Sequence, residues 1–173
     1  MPLDGAIKSL NHIYKNRDAQ DEPRHALTSF GNMALVSSFG IESVVLPHLA
    51  VQIDRKVSVL FIDTEMLFTG TLDYQLDVTA LLGLTNVQAT SEPRGNLFEH
   101  EDESLLHLHD PYACCTLRKT EPLQKTLLGF FCWVSERKQY QGGGFIASDL
   151  LEIDRLLARM TRIRVNPLTQ WDS

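Results

Sequence analysis

Met33-Ala34-Leu35-Val36-Ser37-Ser38-Phe39-Gly40-Ile41-Glu42-Ser43 is the stretch that decides the fold. A short apolar run, 33–36, ends in two serines, a phenylalanine and a glycine. Residues 41–51 then carry helical spacing, with Pro47 expected to kink that helix or sit badly in it. A strand that feeds a helix through a small polar loop is the opening unit of a parallel sheet. Such a loop also has chemistry: N–H groups at a helix start, helped by serine hydroxyls, make an anion site. Gly40 would let the backbone come close to a phosphate or sulfate oxygen. The loop is not a Walker A sequence, because the Gly-Lys-Ser/Thr ending is missing. On local sequence alone a plain helix cap, with Glu42 favoured by the helix dipole, is the stronger reading.

The flanking chain repeats the unit. Residues 3–17 read as a helix through Leu3, Ile7, Leu10 and Ile13, and a polar stretch, 16–24, follows. Residues 57–62 have a buried-strand pattern, 68–82 a helical one, and 85–89 a strand pattern. Strand, helix, strand, helix, strand implies an α/β fold: three layers, a mostly parallel sheet and helices on both faces. Residues 91–110 are polar, with Glu99, Glu101, Asp102 and Glu103 clustered, and read as a loop. Residues 114–128 read as a helix and 130–134 as a strand. Gln141-Gly142-Gly143-Gly144 is a break. Residues 150–160 have apolar positions near a helical stripe, and 163–165 read as a short strand before Asn166-Pro167. No internal repeat is visible.

Bulk properties set the limits. A chain of 173 residues is enough for one domain with a real core. The net charge of −6 argues against nucleic acid as a bulk partner, while leaving room for a small anion held by a few donors. No apolar run approaches the roughly 20 residues of a membrane span, and residues 1–17 lack the shape of a signal peptide. The expected location is the cytoplasm. Three cysteines do not make a secreted disulfide framework; in a reducing compartment they are free, metal-bound or catalytic.

Two further stretches carry chemistry. Phe61-Ile62-Asp63-Thr64 ends the second strand, where ligands of open α/β sheets bind, although Asp-Thr is also a common turn start. Cys114-Cys115-Thr116-Leu117-Arg118-Lys119 joins two thiols to two cations. A disulfide between neighbours would be strained, and the cations favour thiolates. Soft thiolates select iron–sulfur centres or zinc; two small buried hydrophobes on a helix is the plain alternative. Cys132, in an expected buried strand, reads as core. His107 and His109 read as a solvated pair rather than metal ligands, and His48 has no identifiable partner.

In order, these motifs resemble the adenylyl-sulfate / phosphoadenylyl-sulfate reductases of sulfate assimilation. The resemblance rests on Ser37 to Leu46, on Phe61-Ile62-Asp63-Thr64, and on Asp110-Pro111-Tyr112-Ala113-Cys114-Cys115-Thr116-Leu117-Arg118-Lys119. Leu67-Phe68, Thr71 to Tyr74, Glu121-Pro122-Leu123 and Asn166 to Trp171 also fit. It implies an adenine-nucleotide α-hydrolase-like (Rossmann-like) fold. It implies reductive cleavage of adenylyl sulfate, or its 3′-phosphorylated form, to sulfite and the nucleotide. A C-terminal cysteine of the family attacks the sulfate sulfur, and thioredoxin or glutaredoxin releases sulfite.

By the same resemblance, Cys114 and Cys115 point to the branch that carries a [4Fe–4S] cluster and usually prefers adenylyl sulfate. Lys119 would sit between cluster and substrate. Ser37, Ser38, Phe39, Gly40, Glu42 and Ser43 would line the phosphosulfate site, and Ile62, Asp63 and Thr64 would meet the adenosine. Arg118 and Lys138 are carried as further substrate contacts. The oligomeric state, monomer or homo-oligomer, is left open.

The sequence also departs from the family. Trp133 to Gln141 resembles a stretch with glycine after the Ser/Thr and then paired arginines. Here Glu136 replaces the glycine, and Lys138 and Gln139 stand at the arginines. An acid at that place would repel the substrate's anionic groups. The family's Cys-x-x-Cys pair and catalytic cysteine follow the Asn-Pro-Leu segment, whereas this sequence stops at Ser173. The expectation is a single adenine-nucleotide-binding domain, 1–173, that binds nucleotide but lacks the nucleophile and two cluster ligands. The alternatives are a non-catalytic nucleotide-binding domain, and an ATP-pyrophosphatase-like ligase domain of the same superfamily.

Overall fold

The computed structural model describes residues 2–14, 28, 31–100, 105–136, 149–154 and 162–167; at residues 2, 3, 14, 41, 42 and 100 it describes the backbone alone. Helix α1, Pro2–Tyr14, comes first. Strand β1 is Met33–Ser37, followed by a 3₁₀ turn, Ile41–Val44, and helix α2, Val45–Val51. Then come β2, Ser58–Ile62; α3, Thr69–Leu82; β3, Val87–Thr90; and α4, Arg94–His100. Helix α5, Leu106–His109, leads to α6, Pro111–Cys115. A π turn, Thr116–Thr120, and α7, Glu121–Leu127, follow. The described chain closes with β4, Cys132–Val134; β5, Leu151–Asp154; and β6, Arg162–Val165.

Among the described residues six strands form one sheet in the order β3-β2-β1-β4-β6-β5. All neighbours are parallel except β5, which runs antiparallel to β6 at the edge. The period-two alternation of the strands buries both faces. Leu35, Val59, Phe61, Cys132 and Val134 join the main core, together with Ile7 of α1, Leu46 and Ala50 of α2, and Val78 of α3. Ala34, Leu60 and Trp133 face the other way, against Leu127 and Leu123 of α7. The three-layer, mostly parallel α/β architecture therefore holds.

Local chemistry explains several boundaries. Pro47 neither kinks nor breaks its helix. It falls in the first turn of α2, where its missing N–H has no helical partner to lose. Gly83 ends α3 with φ 65°, and the N–H groups of Gly83 and Leu84 return to Ala80 and Thr79. The exposed edge of β5 is covered by α1. Asn11 Nδ2 donates to Leu151 O and Leu151 N–H donates to Asn11 Oδ1, both at 2.9 Å.

Two expectations are corrected. The stretch 91–110 is not a plain loop: it contains α4 and α5 among its described residues. Its acidic member Glu92 is buried, not solvated, and accepts from Asn96 at 2.6 Å and from Lys125 Nζ at 2.8 Å. The apolar stripe at 150–160 begins as strand β5 rather than helix. Pairing with β6 (Leu151 to Val165, Asp154 to Arg162) overrides local periodicity, and an ion pair joins Glu152 and Arg164 across the strands. Trp133 Nε1, on β4, donates to Asp154 Oδ2 at 2.9 Å and ties β5 to β4 across the intervening β6. Residues 155–160 and the Gly142–Gly144 break lie outside the described residues.

Candidate site at the carboxyl ends of the strands

From β1 the chain steps outward through β2 to β3, then crosses to the opposite side of β1 for β4. That reversal makes a crevice between the carboxyl ends of β1 and β4, the place where open α/β sheets hold ligands. Ser37 to Ser43 lies on one side of it and Ser135-Glu136 on the other.

The serine loop is tightly organised. Ser37 Oγ accepts from Phe39 N–H at 3.2 Å, and Ser38 Oγ accepts from Gly40 N–H at 3.4 Å. Ser38 and Ser43 hydroxyls are 2.8 Å apart. Left-handed backbone falls on Phe39, φ 50°, not on Gly40, whose φ of −66° suits any residue. Phe39 supports this conformation by burying its ring completely, edge-on to Phe61 at 5.6 Å. Only its backbone belongs to the crevice. A Cβ on Gly40 would lie 3.5 Å and 3.6 Å from the Ser43 and Ser38 hydroxyls, an ordinary contact that would fit but would cover them. The Glu42 side chain lies outside the described structure.

At the end of β2, Asp63 Oδ1 accepts from Glu65 N–H at 2.8 Å and Thr64 Oγ1 from Met66 N–H at 3.3 Å. Both side chains thus turn the chain, as the plain reading of Asp-Thr requires. Glu65 takes φ 56° and pairs with the exposed Arg94 at 3.1 Å. Ile62 is half-buried beside them.

The cysteine motif docks on this strand end. Asp110 caps α6 by accepting from Ala113 N–H at 2.9 Å, with Pro111 in the first turn. Arg118, in the π turn, is buried and donates from Nη1 to Thr64 O at 2.7 Å. Arg118 therefore acts first as a tie between two motifs. Cys114 is buried, while Cys115 and Lys119 are exposed. Among the described residues no three His, Cys, Asp or Glu side chains gather to hold a metal. Two adjacent thiols do not complete a four-thiolate cluster, so these residues do not fit a whole [4Fe–4S] site. Cys132 is core: fully buried in β4, its thiol is pushed up to about 12 by desolvation.

Sequence reasoning assigned no role to Ser135 and Asn166 in the site. Asn166 is fully buried and donates to Asp149 O at 2.9 Å. Ser135 Oγ donates to its Oδ1 at 2.5 Å, and Ser135 N–H donates to Val165 O at 2.9 Å. These bonds fix the residue after them, Glu136, against the serine loop, where Ser38 Oγ donates to Glu136 Oε2 at 3.5 Å. Burial raises the Glu136 carboxyl above its usual range; the Ser37 and Ser43 hydroxyls and both the N–H and the hydroxyl of Ser38 partly oppose that shift. Lys138 lies outside the described residues.

A cleft of about 310 Å³ opens at the opposite end of β1 and β2, lined by Gly31, Asn32, Asp54, Lys56 and their neighbours. Neither the loop serines Ser37, Ser38 and Ser43 nor any cysteine lines it, and chemistry rather than concavity places the site at the crevice.

Fold and crevice define an open parallel α/β domain with a serine-lined strand end, the class that receives ligands at a topological switch point. Residues 32–173 match the phosphoadenosine phosphosulfate reductase domain, and the chain belongs to that family. It is 38% identical over 139 residues to an adenosine 5′-phosphosulfate reductase of Mesorhizobium japonicum, covering 80% of this chain and 53% of that protein. A protein of the same description from Chelativorans sp. is 32% identical over 175 residues, covering 98% of this chain and 69% of that one. The chain thus spans between half and about two thirds of these relatives. The crystal structure of a phosphoadenylyl-sulfate reductase from Candida auris, a phosphate complex, superimposes with a TM-score of 0.72 at 24% identity. It covers 96% of this chain and 79% of that one, and supports the fold.

Proposed function

We propose that these 173 residues form one adenine-nucleotide-binding domain of a sulfonucleotide reductase, with adenylyl sulfate or phosphoadenylyl sulfate held at the carboxyl ends of β1, β2 and β4. The observation that carries this reading is the serine loop, Ser37 to Ser43, set at the switch point of a chain in the reductase family. Its hydroxyls and N–H groups suit the phosphosulfate, and Ile62, Asp63 and Thr64 lie one strand away for the adenosine. Arg118 holds the cysteine-bearing segment over that end of the sheet. Lys119, exposed on it, is proposed to offset substrate charge, and Lys138 to do the same from beyond β4.

In the proposed reaction a thiolate attacks the sulfate sulfur and the nucleotide leaves. A thioredoxin- or glutaredoxin-type dithiol then releases sulfite and is itself oxidised. The attacking thiolate is not assigned to any of the three cysteines here, since Cys132 is buried and Cys114-Cys115 are the candidate cluster ligands. Those two would supply half of a [4Fe–4S] donor set, and a cytoplasmic setting would keep the thiols reduced.

One observation favours a second reading, a domain that binds nucleotide without reducing it: Glu136 faces the serine hydroxyls. Sulfite release by the natural full-length protein, given either sulfonucleotide and reduced thioredoxin, separates the two. The reductase reading expects sulfite, with iron and sulfide in anaerobically purified protein. Nucleotide binding without sulfite supports the second reading, and no binding rejects both.

A further inference from the structure

We propose that Glu136 is a built-in anion of the serine cradle, so that the sulfate or phosphate of a ligand enters only as Glu136 takes up a proton. This makes Glu136 a specificity-determining residue of the site, and the inference rests on the reading of that cradle as the phosphosulfate site.

The geometry carries the argument. Glu136 lies two residues past the end of β4, and the chain before it is anchored through Ser135 to Val165 and to the fully buried Asn166. The anchor is rigid in turn, because Asn166 N–H donates to Leu150 O at 2.7 Å and its amide to Asp149 O. The strand end thus fixes where the Glu136 side chain starts, and Ser38 holds its carboxyl at the cradle. Its Oε2 accepts from Ser38 Oγ, and Ser38 Oγ also meets Ser43 Oγ. Its Oε1 is buried with no hydrogen-bond partner. The partners of the carboxyl among the described residues are hydroxyls and an N–H, not cations. The donors that would receive a ligand's oxygens are therefore already turned to a carboxylate. An incoming anion meets a like charge in a poorly solvated place, which strongly favours the neutral acid.

Among the described residues the other side chains that meet the cradle are hydroxyls and an amide. Ser37, Ser38 and Ser43 from the β1 loop, and Asn166 from the end of β6, do not titrate in the working range. Asp63, at the end of β2, is turned to its own Glu65 N–H, and Arg118 donates to Thr64 O. The sulfate group of the ligand stays ionised throughout. Coupling must then appear as proton uptake on binding, with affinity rising as pH falls.

Titration calorimetry of adenylyl sulfate tests this on the wild-type chain, Glu136→Gln and Glu136→Gly. Buffers of different ionisation enthalpy, between about pH 6 and about pH 8.5, count the protons. At the alkaline end both variants should bind at least ~10-fold more tightly than wild type, and wild type alone should take up close to one proton. Inorganic sulfate, also fully ionised, should give the same ordering. Should a variant fail to fold, proton uptake by the wild type decides alone. Equal affinities for wild type and Glu136→Gln, with no proton uptake, would overturn the inference and leave the proposed function standing. Absence of binding by all three proteins at millimolar nucleotide would overturn both.

Discussion

Arg118 Nη1 donates to the carbonyl oxygen of Thr64 at 2.7 Å, and this bond ties the π turn that follows the cysteine pair to the end of β2. The two residues are 54 positions apart in sequence. Arg118→Ala removes a charged donor and strands a buried carbonyl, which costs about 1–3 kcal/mol. Urea unfolding should show that loss, and Arg118→Lys, with one compact ammonium instead of a planar fork, should recover only part of it. A change below about 0.5 kcal/mol, the range of ordinary surface substitutions, would show that the bond is incidental.

Asp110 presents the cysteines by capping α6. Asp110→Ala should cost about 1 kcal/mol, whereas Asp110→Asn and Asp110→Ser should cost a few tenths. Thermal melts of the three variants would give that ranking if the cap is the reason for the residue. Equal losses would point to the negative charge itself.

The three thiols should react in a fixed order. Cys115 is exposed, Cys114 is buried at the end of α6, and Cys132 lies in the core with its thiol pushed up to about 12. At about pH 8 only about one Cys132 in ten thousand is thiolate. Peptide mapping after brief alkylation of folded protein should find Cys115 modified first and Cys132 untouched until urea is added. Early modification of Cys132 would contradict its place in β4.

Glu136 should also mark the stability curve. Its folded pKa is raised, mainly by desolvation, so the folded state binds the proton more tightly than the unfolded chain does. The contribution is fully present below the unfolded glutamate value and is lost as pH rises through the folded one. Glu136→Gln should therefore melt roughly 2–4 °C above wild type at about pH 8, with the gap closing near about pH 4. A gap that is constant with pH would mean that Glu136 is not the titrating group.

Much of this was legible in the residues. The short apolar runs at 33–36 and 57–62 marked strands, because both faces of a central parallel strand are buried. The helix expected from 114 begins earlier, at Pro111, because Asp110 caps it, a start the reading of 91–110 as a loop missed. What was illegible depended on distant partners. The stripe at 150–160 looks helical, yet Leu151–Asp154 is strand because Arg162–Val165 supplies an antiparallel neighbour. The polar stretch 91–110 gives no local sign that Glu92 is buried; that depends on Lys125, 33 positions later, closing on it. Phe39 was expected at the ligand, yet its ring lies in the core, because a left-handed turn inverted the direction its position suggests. Glu136 was visible as an acid out of place; that it meets Ser38 depends on β4 lying beside β1.

The central claim is that the nucleotide sits at the carboxyl ends of the strands. Hydrogen exchange of the chain with and without saturating adenylyl sulfate, kept near about pH 6 so that Glu136 is more readily protonated, tests it most directly. The account expects slowed exchange at amides from Ser37 to Ser43 and from Asp63 to Glu65, with Gly31, Asn32 and Asp54 to Ser58 unchanged. Protection confined to those latter residues, around the cleft at the other end of the sheet, would contradict it.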